Sequence, residues 1–238
     1  MSGRVINVDY SPFACDMIDL WTRVVDCLSA EFGLEGPRGC LAGLEYLEHE
    51  DDWTTGEAFD ESQFSLEDFV RLNFGLALDC SLWSHSFELH SRVSMYRYPP
   101  NFRGAPCLSV SFGTLLDRQL YPDVTQLDAE KAPKRALINL CQALASATQA
   151  AAFTVYKDDE GRLKPLDPEE FAQRLLNWPE RTLGVQAADV LKMPPREKVG
   201  IYNAISKELL SSQALAAAWG DGPGIRETTS GFVTLDLL

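Results

Sequence analysis

The sequence predicts an α+β fold, a single domain over residues 1–238 with helices packed on a mainly antiparallel sheet. Three observations carry that expectation. Residues 87–96 and 107–112 both read as strands and are separated only by the loop Tyr98-Pro-Pro-Asn-Phe-Arg-Gly104, so they are expected to pair antiparallel. Residues 152–156 and 162–166 flank Asp158-Asp-Glu-Gly161, the clearest hairpin signal in the chain. Stretches with apolar residues at helical spacing alternate with these strands.

In chain order, Ser11 and Pro12 resemble a cap and first turn, and Met17, Leu20, Trp21, Val24, Val25 and Leu28 repeat at helical spacing. A helix is therefore expected to run to about Phe32, where Gly33, Gly36 and Pro37 stop it. A short helix is expected over residues 41–47, with the dense acids Glu48, Glu50, Asp51 and Asp52 just beyond its C-terminus, where they would oppose the helix dipole. Ser65-Leu-Glu-Asp68 has the form of a capping box and would open a helix through about Leu78. In residues 87–96, Phe87, Leu89, Ser91, Val93 and Met95 alternate with a polar set that includes Glu88, His90 and Arg92. A long helix begins at Asp128, carries Ala136, Leu137, Leu140, Cys141 and Leu144, and ends near Gln149.

Asp167-Pro168-Glu169-Glu170 has a cap, a proline at the first helical position and acids in the first turn, so it starts a helix expected to end at Trp178-Pro179. A further helical region is expected from Pro194-Pro195 and closes with residues 212–219. Gly220-Asp-Gly-Pro-Gly224 reads as a turn, and residues 231–238 as a final strand with Val233, Leu235 and Leu237 inward.

With 45% hydrophobic and 10% aromatic residues the chain can bury a substantial core. The N-terminal residues lack the apolar run of a signal peptide, and no window approaches a membrane helix. A cytoplasmic location is expected. The cysteines (Cys15, Cys27, Cys40, Cys80, Cys107, Cys141) form no Cys-x-x-Cys pair and sit among apolar neighbours, as reduced core thiols would.

Charge is the most informative feature. The formal net charge is −14, from 35 acidic and 21 basic side chains. Residues 39–70 contain ten of those acids (Glu45, Glu48, Glu50, Asp51, Asp52, Glu57, Asp60, Glu61, Glu67 and Asp68) and no Lys or Arg. Tyr46, Trp53, Phe59, Phe64 and Phe69 are interleaved with them. A solvated acidic loop is the plain explanation of such a run. The functional one is a surface for a basic protein partner, because acids along a loop can mimic phosphates and an aromatic such as Trp53 or Phe59 can anchor the contact. Net charge of this sign argues against nucleic acid and anionic membrane as partners.

Catalytic motifs are not found. Ser109-Val-Ser111-Phe-Gly113 is not a nucleophile elbow, and Gly220-Asp-Gly-Pro-Gly224 lacks the Lys-Ser/Thr of a phosphate loop. His49, His85 and His90 lack a metal-ligand spacing, and the pairing of His90 with Glu88 is equally that of a polar strand face. No enzyme activity, metal or cofactor is expected.

The hairpin before a helix that ends Leu-Leu-Asn-Trp178-Pro, followed by the Trp219-Gly220 turn and the terminal Thr228-Thr-Ser-Gly-Phe-Val-Thr-Leu235, resembles bacterial polymorphic-toxin and type VI secretion immunity proteins. The class most similar is the immunity protein 52 family. The resemblance lies in overall layout and implies an antitoxin that binds a cognate secreted effector, a nuclease in this class, and neutralises it by stoichiometric occlusion. A nuclease presents Lys and Arg to phosphates, which an acidic surface complements. Glu48, Glu50, Asp51, Asp52, Trp53, Asp60 and Glu61 are the expected contacts. An effector-loading adaptor or chaperone, and an enzyme without a recognisable motif, remain as alternatives.

Overall fold

The computed structural model describes residues 5–32, 39–47, 52–59, 75–84, 87–97, 106–112, 131–158, 166–183, 199–220 and 224–237. In chain order these form β1 (Val5–Tyr10), α1 (Met17–Phe32), β2 (Gly39–Leu47), β3 (Asp52–Phe59), β4 (Gly75–Ser84), β5 (Phe87–Arg97) and β6 (Pro106–Phe112). They continue with α2 (Lys131–Thr148), β7 (Ala152–Asp158), α3 (Pro168–Thr182), β8 (Tyr202–Ser206), α4 (Ser212–Trp219), β9 (Gly224–Glu227) and β10 (Phe232–Asp236). All ten strands join one sheet in the order β3-β2-β4-β5-β6-β1-β7-β8-β10-β9. Every pairing in it is antiparallel, as the α+β expectation requires.

Period-two alternation decides which side of the sheet each residue meets. Ile6, Val8 and Tyr10 of β1 lie with Val93, Met95, Leu108, Val110, Phe153, Val155, Tyr202 and Ala204 on one face, in a single core. α1 contributes Met17, Leu20, Trp21, Val24 and Leu28 to it, and α2 contributes Leu137, Leu140, Cys141, Leu144 and Ala145. Each Val, Leu, Ile, Phe or Met among them stabilises by roughly 1.5–3 kcal/mol when fully buried. Phe153 is the aromatic hub, with Tyr10, Tyr202 and Phe232 at centroid distances of 5.6, 6.0 and 6.0 Å. The other face holds a second core, in which Phe171, Ala172 and Leu175 of α3 and Leu215 of α4 cover Ala152, Ile205, Val233 and Leu235.

Several expected elements are replaced. α1 starts at Met17, not at Ser11, and its cap is Asp16, whose Oδ1 accepts from the Asp19 backbone N–H at 2.8 Å. Ser11 instead ties β1 to β7: its Oγ accepts from the N–H groups of Ala151 and Ala152 at 2.9 and 3.0 Å. Residues 41–47 are not helical. They are part of β2, held between β3 and β4, and ladder pairing on both edges outweighs the leucine spacing that imitates a helix. Residues 75–78 likewise open β4 and do not end a helix; the capping box at Ser65 lies outside the described residues.

β1 has no counterpart among the expected elements. The expected pairing of residues 87–96 with 107–112 is found, with Val93 opposite Val110. β7 forms, with both edges taken by β1 and β8; residues 162–165 of the expected hairpin lie outside the described residues, and Leu166 is buried beside the α3 cap. α3 runs through Pro179 to Thr182, and Asp167 caps it by accepting from the N–H groups of Glu169 and Glu170. Residues 202–206, expected in a helical region, form β8, and Gly224 opens β9. In the last strand Val233 and Leu235 point inward as expected, but Leu237 lies past its end and is 38% exposed.

Candidate partner-binding surface

Of the expected contact residues, Asp52 and Trp53 belong to β3, at one end of the sheet. β2 and β3 form a hairpin whose last pair is Leu47 opposite Asp52, so residues 48–51 are its connection. Glu48, Glu50, Asp51, Asp60 and Glu61 lie outside the described residues. Asp52 and Trp53 are the first two residues of β3, opposite Leu47 and Tyr46. Placement in a hairpin removes the helix dipole that these acids were expected to oppose: Gly39–Leu47 is a strand, and strand dipoles largely cancel. The ladder also has a bulge. Ala42 pairs with Ala58 and Leu44 with Thr55, which leaves Gly56 and Glu57 opposite Gly43 alone.

The structure brings together a second set of polar residues that sequence reasoning misses. Register aligns Ser94, Ser109, Asp9, Thr154 and Asn203 across five consecutive strands, β5, β6, β1, β7 and β8. All five are buried, on the face opposite the Phe153 core. Asp9 is the centre: Ser109 Oγ donates to its Oδ1 at 2.7 Å and Tyr156 OH to its Oδ2 at 2.5 Å. Asn203 Oδ1 accepts from Thr154 Oγ1 at 2.8 Å and from the Gly200 N–H at 3.0 Å, while its Nδ2 donates to the Gly200 carbonyl at 2.7 Å. Buried polar groups are costly unless bonded, and Ser109 with Asp9 and Thr154 with Asn203 bond across strand boundaries. A one-residue slip of any of these strands would drive its polar member into the Phe153 core, so the row selects register.

The thiols show what this interior does to ionisation. Burial, with the Asp9 carboxylate as a smaller contribution, pushes the Cys107 thiol up to about 12. Burial does the same to Cys141, also to about 12. Cys107 and Cys141 are buried, in keeping with core thiols. Such burial disfavours the thiolate, which is the reactive form. Trp21 and Trp178 are buried and Trp219 is half-buried, its Nε1 donating to the Leu175 carbonyl at 2.8 Å. Among the described residues, no helix is long and apolar enough to cross a membrane.

No family model matches the chain, and no curated protein matches it either. Membership of the immunity protein 52 family therefore has no matching family behind it. Among solved structures, the chain is similar to the Pseudomonas aeruginosa T6SS protein PA0821 at 12% identity and a TM-score of 0.42, covering 98% of this chain. This chain spans 66% of the length of that protein. At that score and identity neither fold nor activity carries across to this chain.

Proposed function

We propose that this chain is an immunity-type inhibitor that binds a cognate basic effector, nuclease-like in its charge, and neutralises it by stoichiometric occlusion without chemistry of its own. The observation that supports it is the run of ten carboxylates without a Lys or Arg in residues 39–70, part of which forms a hairpin at one edge of the sheet. A concentrated field of one sign speeds encounter with a partner of the other by roughly 10- to 1,000-fold at low salt. Glu48, Glu50, Asp51, Asp52, Trp53, Asp60 and Glu61 are the contact residues on this proposal, and the cytoplasm of the producing cell is where the effector would be met.

Co-expression with the product of a neighbouring gene tests it, read as growth rescue and a copurified complex. A variant with Glu48, Glu50, Asp51 and Asp52 changed to Ser runs beside the wild type. Rescue by the wild type and its loss in a still-folded variant support inhibition through the acidic hairpin. Rescue by both keeps the inhibitor and removes the hairpin from its contact surface. A copurified complex without rescue identifies an adaptor. Neither complex nor rescue sinks the proposal.

A further inference from the structure

The two edges of the sheet are unlike each other. β9 is four residues long and carries exposed Arg226 and Glu227, the short charged form by which edges are protected. β3 is twice that length, eight residues, and reads Asp-Trp-Thr-Thr-Gly-Glu-Ala-Phe. It is rich in β-branched and aromatic residues and contains no Lys, Arg or Pro. Its protection is the bulge at Gly56 and Glu57, which leaves Asp52 to Thr55 as a regular run paired with β2. Among the described residues β3 pairs with β2 alone. Such an edge is a template for one more strand.

Charge selects the occupant. Residues 48–59 carry Glu48, Glu50, Asp51, Asp52 and Glu57 and no Lys or Arg. A second copy would bring two acidic segments of like charge together, which repel. We infer that the outer edge of β3 docks an extended segment of a protein partner bearing Lys or Arg, which joins the sheet as a further strand. Main-chain hydrogen bonds supply affinity there, and charges on the segment supply specificity. This inference rests on the proposed inhibition for the identity of the partner as basic.

The alternation of main-chain groups makes the test sharp. Of two neighbouring strand residues, one directs its N–H to the inner neighbour and the other outward. Thr54→Pro and Thr55→Pro therefore differ: one removes a β2–β3 ladder bond and destabilises the fold, and the other leaves the fold intact. The probe is a synthetic peptide of about ten alternating Lys and Val residues, a typical strand length with some margin. The control replaces each Val with Pro, which keeps the charge and cannot pair.

On the full chain, the Lys-Val peptide is expected to protect amides of residues 52–55 from hydrogen exchange. It should bind at least roughly tenfold tighter than the control, and the fold-neutral proline variant should lose that advantage; the margin corresponds to about 1.4 kcal/mol. Equal binding of both peptides, or no protection at β3, overturns the inference. Hydrogen exchange on the wild type decides the matter if both proline variants fail to fold. Growth rescue by the fold-neutral variant, with β3 unprotected in the effector complex, would remove the edge and leave the inhibitor standing. Peptide docking at β3 without rescue from any neighbouring effector would do the reverse.

Discussion

Replacing Asn203 with Leu tests the polar row at the point where its hydrogen bonds are densest. The two side chains have the same branching and similar size, so the change removes polarity with little change of shape. Asn203 is fully buried, with 0% exposure, and its amide makes three hydrogen bonds of 3.0 Å or shorter: from Thr154 Oγ1, from the Gly200 N–H and to the Gly200 carbonyl. A fourth, to the Leu235 carbonyl, is at 3.5 Å and weaker. Each good bond contributes about 1 kcal/mol net, and each buried partner left unsatisfied costs about 1–3 kcal/mol. The leucine methyls return part of this through apolar contact. The expected loss is about 3–5 kcal/mol, a large share of the ~5–15 kcal/mol by which domains are stable. At this chain length that is a fall in Tm of roughly 10 °C. Urea unfolding followed by circular dichroism and tryptophan fluorescence measures it. The double-mutant cycle with Thr154→Val should give a coupling of at least ~0.5 kcal/mol, since both members share Oδ1. A loss below ~1 kcal/mol, or strict additivity in the cycle, would refute the account of Asn203 and Thr154 as a bonded pair.

Gly200→Ala should destabilise by about 1–3 kcal/mol or more, because a Cβ there would overlap Thr154 Oγ1 and the Val155 carbonyl, a backbone group that cannot rotate away; the same urea titration reads it. Asp167→Ala should cost about 1 kcal/mol through the α3 cap, whereas Asp167→Asn keeps an accepting oxygen and should cost only a fraction of that, in thermal melts. The raised thiols give a pH dependence of definite sign. Cys107 and Cys141 ionise near 9 when unfolded and near 12 when folded, so the unfolded chain binds fewer protons between those values. Their contribution to stability is complete below about pH 9 and declines toward pH 12, at up to about 1.4 kcal/mol per pH unit for each thiol. Denaturation midpoints across that range check the slope, and both thiols should resist a thiol reagent at pH 8 until the chain is unfolded.

How much of this was legible in the sequence follows from how local each signal is. The pairing of β5 with β6 is readable because both alternations and the loop between them lie within 26 residues, 87–112. The α3 cap is readable for the same reason, since Asp167, Pro168 and the following acids are consecutive. β2 is not: Leu41, Leu44 and Leu47 sit at helical spacing, and only its position between β3 and β4 makes the segment a strand. β1 carried an available signal in the alternation of Ile6, Val8 and Tyr10 with Asn7 and Asp9, but six residues with one apolar face are a weak pattern by themselves. The polar row is beyond local reading altogether. Its members, residues 9, 94, 109, 154 and 203, share nothing in sequence and meet only through the register of four strand pairings. For the acidic segment, its charge density was legible but its position at a sheet edge was not, because edge status depends on what the other strands do.

The separation of these features within the sheet bears on how a charge variant is to be interpreted. The Phe153 core, the α3–α4 core and the polar row draw on strands from β5 through β10, while β3 lies beyond β2 and β4 at the far end. Changing Glu48, Glu50, Asp51 and Asp52 to Ser removes four of 35 acids and alters none of the residues in either described core or in the row. In a chain of net charge −14, fewer like charges crowded in one hairpin relieve self-repulsion, so stability should stay level or rise slightly. Loss of partner binding in that variant would therefore be an effect on recognition, with the unfolding midpoint as its internal control. A fall in the midpoint alongside the loss would place the acids in the fold's own support and would end their candidacy as a separate recognition surface.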